Sequence, residues 1–289
     1  MGATKNPVGW PDEGSALLRP AGWTHHRLPL WLIFWMELVA LLALGMAVGA
    51  AWSFWTGQFA TGVPLAAGAI FLGHVVGLGT RIWWPRRRSS RTGTLTATPD
   101  GTMAVTFSYS AWSYYWLTAV LVMTELVALA LTVGAGLSAT VVGVVTAVVL
   151  GVLVLVVGWV LVTMLRLAPG KIVLSPAGVS HRGLTSTHFI PWSAIVAVLA
   201  EWAGTPIIAV KAFPSTDTRV RRYLGWFGSG EVQFLPLMVI RTAWLATDPT
   251  TVCQALSFYR SHPGLRAELA TPAALDRIGN GQAVGQEQP

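Results

Sequence analysis

Four long apolar runs constrain the fold of this chain more than any other feature of its sequence. They cover residues 28–55, 63–80, 117–137 and 139–165. Crossing the roughly 30 Å hydrocarbon core of a bilayer takes about 20 helical residues. Inside lipid, every backbone N–H and C=O needs a partner within its own segment, so a spanning segment is helical. The sequence therefore predicts four transmembrane helices.

The composition excludes an ordinary soluble globular protein. Of the 289 residues, 53% are hydrophobic and only 11% are charged, against roughly 25% charged in an average soluble domain. The single cysteine, Cys253, excludes an internal disulfide framework, and its position on a predicted helix favours core packing. The formal net charge of +7 is explained more simply by an anionic membrane leaflet than by nucleic acid, so no nucleic-acid partner is expected.

The positive charges indicate the orientation. All 19 Lys and Arg lie in the N-terminal tail, between the second and third runs, or after the fourth run. Because positive charge stays on the cytoplasmic side, we expect a multi-pass protein of the plasma (inner) membrane with both termini in the cytoplasm. The predicted segments are an irregular cytoplasmic tail (1–27), the first helix pair (28–84), a basic cytoplasmic loop with a β-hairpin (85–111), the second helix pair (112–165), a cytoplasmic domain (170–269) and a flexible tail (270–289).

Two repeated patterns suggest an internal duplication. Residues 37–41 and 125–129 both read Glu-Leu-Val-Ala-Leu, and residues 93–101 and 170–178 share the pattern G-x-[LI]-x-x-[ST]-P-x-G. The second pattern is typical of a strand that ends in a Pro/Gly turn. One interpretation is two parallel repeats, each a helix pair followed by a strand. Chance similarity between apolar segments is the alternative.

The chain after residue 170 is predicted to form an α+β domain. Short β-rich runs separated by turns end before a helix that has Asp248 as its N-cap and Pro249 at its first position. This helix is expected to end near His262. The predicted strands are 171–175, 179–184, 188–190, 195–199, 206–212 and 237–241.

This domain resembles bacterial pleckstrin-homology-like (PH-like) domains, which occur in membrane proteins, particularly of actinobacteria, often behind pairs of transmembrane helices. The resemblance covers about residues 170–269. It rests on the Ser175-Pro-Ala-Gly178 turn, the Ile190-Pro-Trp-Ser-Ala-Ile195 segment and the closing helix from Asp248 to Leu269. It implies a bent seven-stranded sheet closed by one helix, which acts as a structural or binding module. Residues 213–235 are an insertion, and residues 93–107 are expected to form a hairpin that packs against the same domain.

Three ionisable residues, Glu37, His74 and Glu125, lie within the predicted spans. Burying a charge within a membrane span costs free energy. Such residues therefore either form a functional site or are neutral, hydrogen-bonded groups that fix helix packing. The depths of Glu37 and His74 match, so these two could pair. The three have no recognised ligand spacing, so no metal site is predicted. The remaining histidines, including His181 and His188, are expected at the surface or in turns.

Small residues recur at helical spacing on two of the predicted helices. Gly143, Ala147, Gly151 and Gly158 lie along the fourth helix, while Gly73 and Gly77 lie along the second. Such stripes let helix backbones approach closely, either within one chain or between copies.

Two clusters of basic and aromatic residues are candidates for lipid or interface binding. Arginines beside a membrane helix can act as topology determinants or bind anionic headgroups. Aromatic rings next to arginines suit the membrane interface. A partner-binding or unstructured loop is the alternative for the second cluster. The first cluster is Arg86, Arg87, Arg88 and Arg91, and the second is Arg219, Arg221, Arg222, Tyr223, Trp226 and Phe227.

The expected function follows from a domain on one side of the membrane and only short turns on the other. No phosphate-binding, nucleophile-elbow or zinc-protease motif is present, so no catalytic residue and no cofactor is predicted. We expect a non-enzymatic membrane protein whose PH-like module binds another protein or the anionic lipids of the inner leaflet, with a homo-oligomer also open. The alternative is a small transporter or channel subunit that uses the Glu/His residues. A membrane-embedded enzyme that acts on lipids ranks third.

Overall fold

The structure, a computed structural model, describes residues 20–23, 29–83, 93–98, 100–223 and 237–283. The structure contains four apolar helices that are each long enough to cross a membrane, which confirms the predicted helices as candidate spans. The third helix begins six residues before the predicted run, because the aromatic residues that precede the run are themselves helical. The helices are α1 (Leu30–Trp55), α2 (Phe59–Trp83), α3 (Ala111–Leu137) and α4 (Val141–Leu167).

The helices form two hairpins joined along one side. Helix α1 packs against α2, α3 packs against α4, and α2 packs against α3. Both connections are tight: Gly57 adopts a left-handed backbone (φ +77°), and Thr140 Oγ1 accepts a hydrogen bond from Gly143 N (3.0 Å) at the start of α4. Most large apolar side chains of the four helices are exposed in the isolated chain, as expected for helices that face lipid.

The strands form two antiparallel sheets. The first has the order β1-β2-β3-β4-β5-β8 and the second has the order β6-β7-β9. The structure thus confirms a mixed domain of sheets and helices after α4. The strands are β1 (Thr94–Ala97), β2 (Met103–Ser108), β3 (Lys171–Ser175), β4 (Gly178–Arg182), β5 (Ser186–Pro191), β6 (Ile195–Trp202), β7 (Pro206–Ala212), β8 (Arg219–Arg222) and β9 (Leu237–Arg241).

The hairpin between the helix pairs belongs to the domain's sheet. Strand β2 pairs with β3, with Val105 opposite Leu174 and Ser108 opposite Lys171. The prediction that this hairpin packs against the domain is confirmed, and the contact is a continuous backbone ladder. Hairpins β1–β2 and β3–β4 each follow a helix pair and lie side by side, an arrangement that a duplication would produce.

The C-terminal segment closes the domain. Helix α5 (Pro249–Ser261) starts where predicted, with Asp248 Oδ1 accepting a hydrogen bond from Thr250 N (2.9 Å). A 3₁₀ helix (Pro263–Ala270) and helix α6 (Pro272–Gly279) follow. The prediction of a flexible tail is wrong for α6, because Ala274 and Ile278, one turn apart, are buried in the core.

Part of the N-terminal tail also belongs to the domain. The predicted irregular tail contains a 3₁₀ turn (Ala21–Trp23) whose Trp23 side chain is only 6% exposed. The indole Nε1 donates to the carbonyls of Glu201 and Ile207, both at 3.1 Å. A Cβ on Gly22 would lie 1.9 Å from the Ala200 carbonyl oxygen, so glycine allows the turn to lie directly against β6.

Candidate functional site

The sheets join the helices at a rigid junction. Strand β2 leads into α3 through Tyr109 and Ser110. Tyr109 N donates to the Gly170 carbonyl (2.8 Å), and Ser110 N donates to the Trp244 carbonyl (2.7 Å). Because both donors are backbone groups between a strand and a helix, the direction of α3 is fixed relative to the sheet.

Side chains reinforce this junction. Arg81, in the last turn of α2, donates through Nη2 to Ser110 Oγ (2.8 Å) and through Nε to Ser113 Oγ (3.3 Å). Ser113 Oγ in turn donates to the Ala243 carbonyl (3.2 Å). Hydrogen bonds from a charged donor contribute about 1.5–3 kcal/mol each when partly buried. Arg81 therefore connects α2 to α3 and, through Ser113, to the domain.

The hydrophobic core is continuous across the junction. Tyr114 of α3 and Met164 of α4 belong to the same buried cluster as the strands and α5. The Tyr114 hydroxyl accepts a hydrogen bond from Gly170 N (2.7 Å), just before β3. The domain is therefore packed directly on the helix ends.

Two histidines lie in this core, which corrects the expectation that they are surface or turn residues. His181 and His188 are cross-strand neighbours on β4 and β5, and they are 3% and 7% exposed. Burial lowers the pKa of His181 to about 3, with a further contribution from His188. Burial also lowers the pKa of His188. Both rings are therefore neutral at physiological pH.

The partner of His181 comes from the junction. A 2.5 Å hydrogen bond joins His181 Nε2 to the hydroxyl of Tyr109. Side chains alternate between the two faces along β4 and β5. If the pairing register of these strands had been known, this alternation would have placed both histidines on the inner face. Tyr109 could not be predicted as this partner, because it lies 72 residues from His181 along the chain.

The three ionisable residues within the apolar helices have different surroundings. His74 Nδ1 is 2.8 Å from the Ile70 carbonyl oxygen, and His74 Nε2 is 3.2 Å from the Tyr115 hydroxyl. Glu37 lies exposed on α1. No hydrogen bond or ion pair joins Glu37 to His74 among the residues that the structure describes, so the hypothetical pair is not observed.

Glu125 faces α4 at a glycine. Its Oε1 would lie 3.0 Å from a Cβ built on Gly158. Its Oε2 is buried and has no hydrogen-bond partner within the described ranges. From the observed helix start, Glu125 lies about 21 Å along α3, whereas Glu37 lies about 10 Å along α1. The two repeated strings therefore do not occupy equivalent positions along their helices.

Some glycines of the two stripes make close contacts within the chain. A Cβ on Gly77 of α2 would lie 2.5 Å from the Trp116 ring of α3, and a Cβ on Gly143 would lie 1.9 Å from Ser138 Oγ. These contacts favour the intramolecular interpretation at these positions. Nothing lies within 4 Å of a Cβ on Gly73.

The second basic cluster falls on an edge strand. Arg219, Arg221 and Arg222 belong to β8 and are exposed. The Arg221 guanidinium lies 5.2 Å from the ring centroid of Tyr223, which is a cation–π contact. The predicted candidates Arg86, Arg87, Arg88, Arg91, Trp226 and Phe227 lie outside the described residues.

The first sheet has a one-sided charge. Its six strands contain one lysine and four arginines and no aspartate or glutamate. The second sheet carries Glu201 as well as Lys211 and Arg241, and a 3.5 Å ion pair joins Lys211 to Glu201. The basic surface is therefore a property of the sheet that joins the helices.

Comparisons of the chain with protein-family models, with curated proteins and with solved structures find no match.

The buried histidine predicts a loss of stability in acid. The pKa of His181 is lower in the folded chain than its usual 6.5, so the unfolded state binds more protons below pH 6.5. Stability is complete above about pH 6.5 and falls as the pH drops toward 3, by at most about 1.4 kcal/mol per pH unit for this residue. The thermal unfolding midpoint is measured in detergent at pH 7 and at pH 5. Its decrease between the two pH values should be smaller for His181→Gln than for the native chain. His262→Gln, an exposed control, should match the native chain, and an unchanged pH dependence in His181→Gln would contradict the assignment.

The contact between Glu125 and Gly158 predicts a position-specific effect of alanine. Alanine gains helix propensity at both Gly158 and Gly151, but the nearest atom to a Cβ on Gly151 is Thr132 Cγ2 at an ordinary 3.9 Å. Gly158→Ala should therefore be less stable than Gly151→Ala by about 1 kcal/mol, measured by unfolding in mixed micelles. Adding Glu125→Ala should remove the difference. Equal stabilities of the two single variants would contradict a tight, inflexible contact between the Glu125 carboxyl group and Gly158.

Proposed function

We propose that this chain is a non-enzymatic integral membrane protein that holds a PH-like module on the cytoplasmic membrane surface and binds anionic lipids there. The observation that carries this proposal is the charge of the first sheet, which has five cations and no carboxylates and meets the ends of α2, α3 and α4. A basic surface fixed at that position faces headgroups wherever the helices span the bilayer. Each cation near an anionic leaflet contributes about 1 kcal/mol of attraction.

The number of strands supports the PH-like assignment. In the described part of the chain, seven strands follow α4, divided between the two sheets, and α5 packs against β6. This arrangement agrees with the seven-stranded sheet closed by one helix that the resemblance implies. Hairpin β1–β2 then adds two strands to the edge of such a module.

Exposed aromatic residues support the membrane placement. Trp112 and Tyr115, at the domain end of α3, are 66% and 49% exposed, and Trp55, at the opposite end of α1, is 89% exposed. Amphipathic rings at both ends of apolar helices are typical of the two membrane interfaces. With the positive charges on the domain side, the domain and both termini are assigned to the cytoplasm.

The transporter alternative has weaker support. His74 is bonded to Ile70 and Tyr115, Glu125 faces Gly158, and Glu37 is exposed on α1. A transport pathway for an ion or polar solute would need these three side chains to line the same pathway. Their separate surroundings fit packing and positioning better.

Lipid recovery tests the proposal. The full-length protein is purified in a mild detergent, and the lipids that remain bound are extracted and quantified against the bulk membrane. We expect several-fold enrichment of anionic over zwitterionic phospholipid. A bound-lipid composition equal to that of the membrane would contradict the proposal, and a stoichiometric protein partner without anionic lipid would assign the module to protein binding instead.

A further inference from the structure

We infer that one row of side chains across the first sheet is a binding site for the phosphate groups of anionic phospholipids. The inference rests on the proposed function and assigns it to a row of residues of which the basic clusters had identified Arg221 alone. The row follows the backbone ladder across five strands. It consists of Ser108 (β2), Lys171 (β3), Arg182 (β4), Thr187 (β5) and Arg221 (β8).

The register places these side chains on one face of the sheet. Each is directly opposite the next across an antiparallel pair, and directly opposed residues point the same way. The neighbouring inner row, which includes Phe107, Ile172 and His181, is buried. Ser108 and Arg221 are exposed, while Lys171, Arg182 and Thr187 are half-buried. The row therefore lies on the outer face.

In β2, β3 and β4 the row lies at the strand ends that adjoin the helices. Ser108 lies three residues before the start of α3, and Lys171 lies four residues after the end of α4. Arg182 Nη2 donates to the Arg166 carbonyl (2.7 Å) in the last turn of α4. If the helices span a bilayer, the row lies at the level of the lipid headgroups.

Every side chain in the row is a hydrogen-bond donor, and three are cations. Lys171, Arg182 and Arg221 form no ion pair among the residues that the structure describes, where the ion pairs are Lys211–Glu201 and Arg277–Glu268. The Nε of Arg182 is buried without a hydrogen-bond partner in the same ranges. The positive charge of the row is therefore not neutralised by a described carboxylate.

A phosphodiester fits these donors. Strands are about 4.8 Å apart, so Lys171 and Arg182 are near neighbours and Arg221 lies about 10 Å beyond Arg182. Guanidinium groups bind phosphate oxygens with two hydrogen bonds, whereas lysine contributes a point charge. The hydroxyl groups of Ser108 and Thr187 can donate to further phosphate oxygens. The position beside the helix ends favours a lipid headgroup over a free phosphate ion.

Native mass spectrometry of the full-length protein tests the site. The protein in detergent is titrated with phosphatidylglycerol, with phosphatidylcholine and, separately, with inorganic phosphate. Lys171→Gln combined with Arg221→Gln should weaken phosphatidylglycerol binding about 25-fold, taking roughly five-fold for each cation removed. Arg182 is left unchanged because it also bonds to α4. The control, Lys211→Gln with Arg241→Gln, removes the same charge from the second sheet and should bind as the native chain does.

The outcomes separate the site from the proposed function. If the native chain binds phosphatidylglycerol and both double variants bind it equally well, the row is not the site, although the proposed function stands. If both double variants weaken binding to the same extent, binding follows net charge alone, and the site assignment also fails. If the native chain prefers inorganic phosphate, the site takes a free anion and not a lipid. If the native chain binds no lipid or phosphate, both proposals fail.

Discussion

The hydrogen bonds between the start of α3, the end of α2 and the domain determine how the rest of this molecule is arranged. Arg81 bonds to Ser110 and Ser113, and Ser113 bonds to the Ala243 carbonyl. These contacts lie beside a backbone that passes from strand to helix without a flexible linker. These contacts set the orientation of the domain relative to the helices, so the structure presents the surface of the domain at a defined height and angle.

The placement of the sheets determines where the basic residues lie. Strand β2 leads into α3, and β3 follows α4. The row that starts with Ser108 and Lys171 therefore lies at the helix ends. Isolated arginines on a surface contribute little to stability. Several cations in one row on one face together attract a negatively charged phosphodiester more strongly than a single cation does. The inner face of the same sheet instead carries His181 and His188 on β4 and β5, which are neutral because they are buried.

The sequence predicted the elements much better than their contacts. Hydrophobic length identified the four helices, and Asp248-Pro249 identified the start of α5, because both signals are local. The turn at Trp23 and helix α6 were missed, since tertiary packing stabilises them within segments whose Pro, Gly and Gln content indicates irregular chain. The candidate Arg221 was recognised from its cluster. Lys171 and Arg182 were not, because only strand pairing brings residues so far apart in sequence into one row.

Amide hydrogen exchange of the full-length protein is the most direct test of the rigid junction. The backbone amides of Tyr109 and Ser110 donate to Gly170 and Trp244, so they should be as strongly protected as the amides of strands β3 and β7. If these two amides instead exchange as fast as those of the connection at residues 138–140 while β3 and β7 stay protected, the domain hangs on a flexible hinge. That result would contradict a surface held at a fixed position against the membrane.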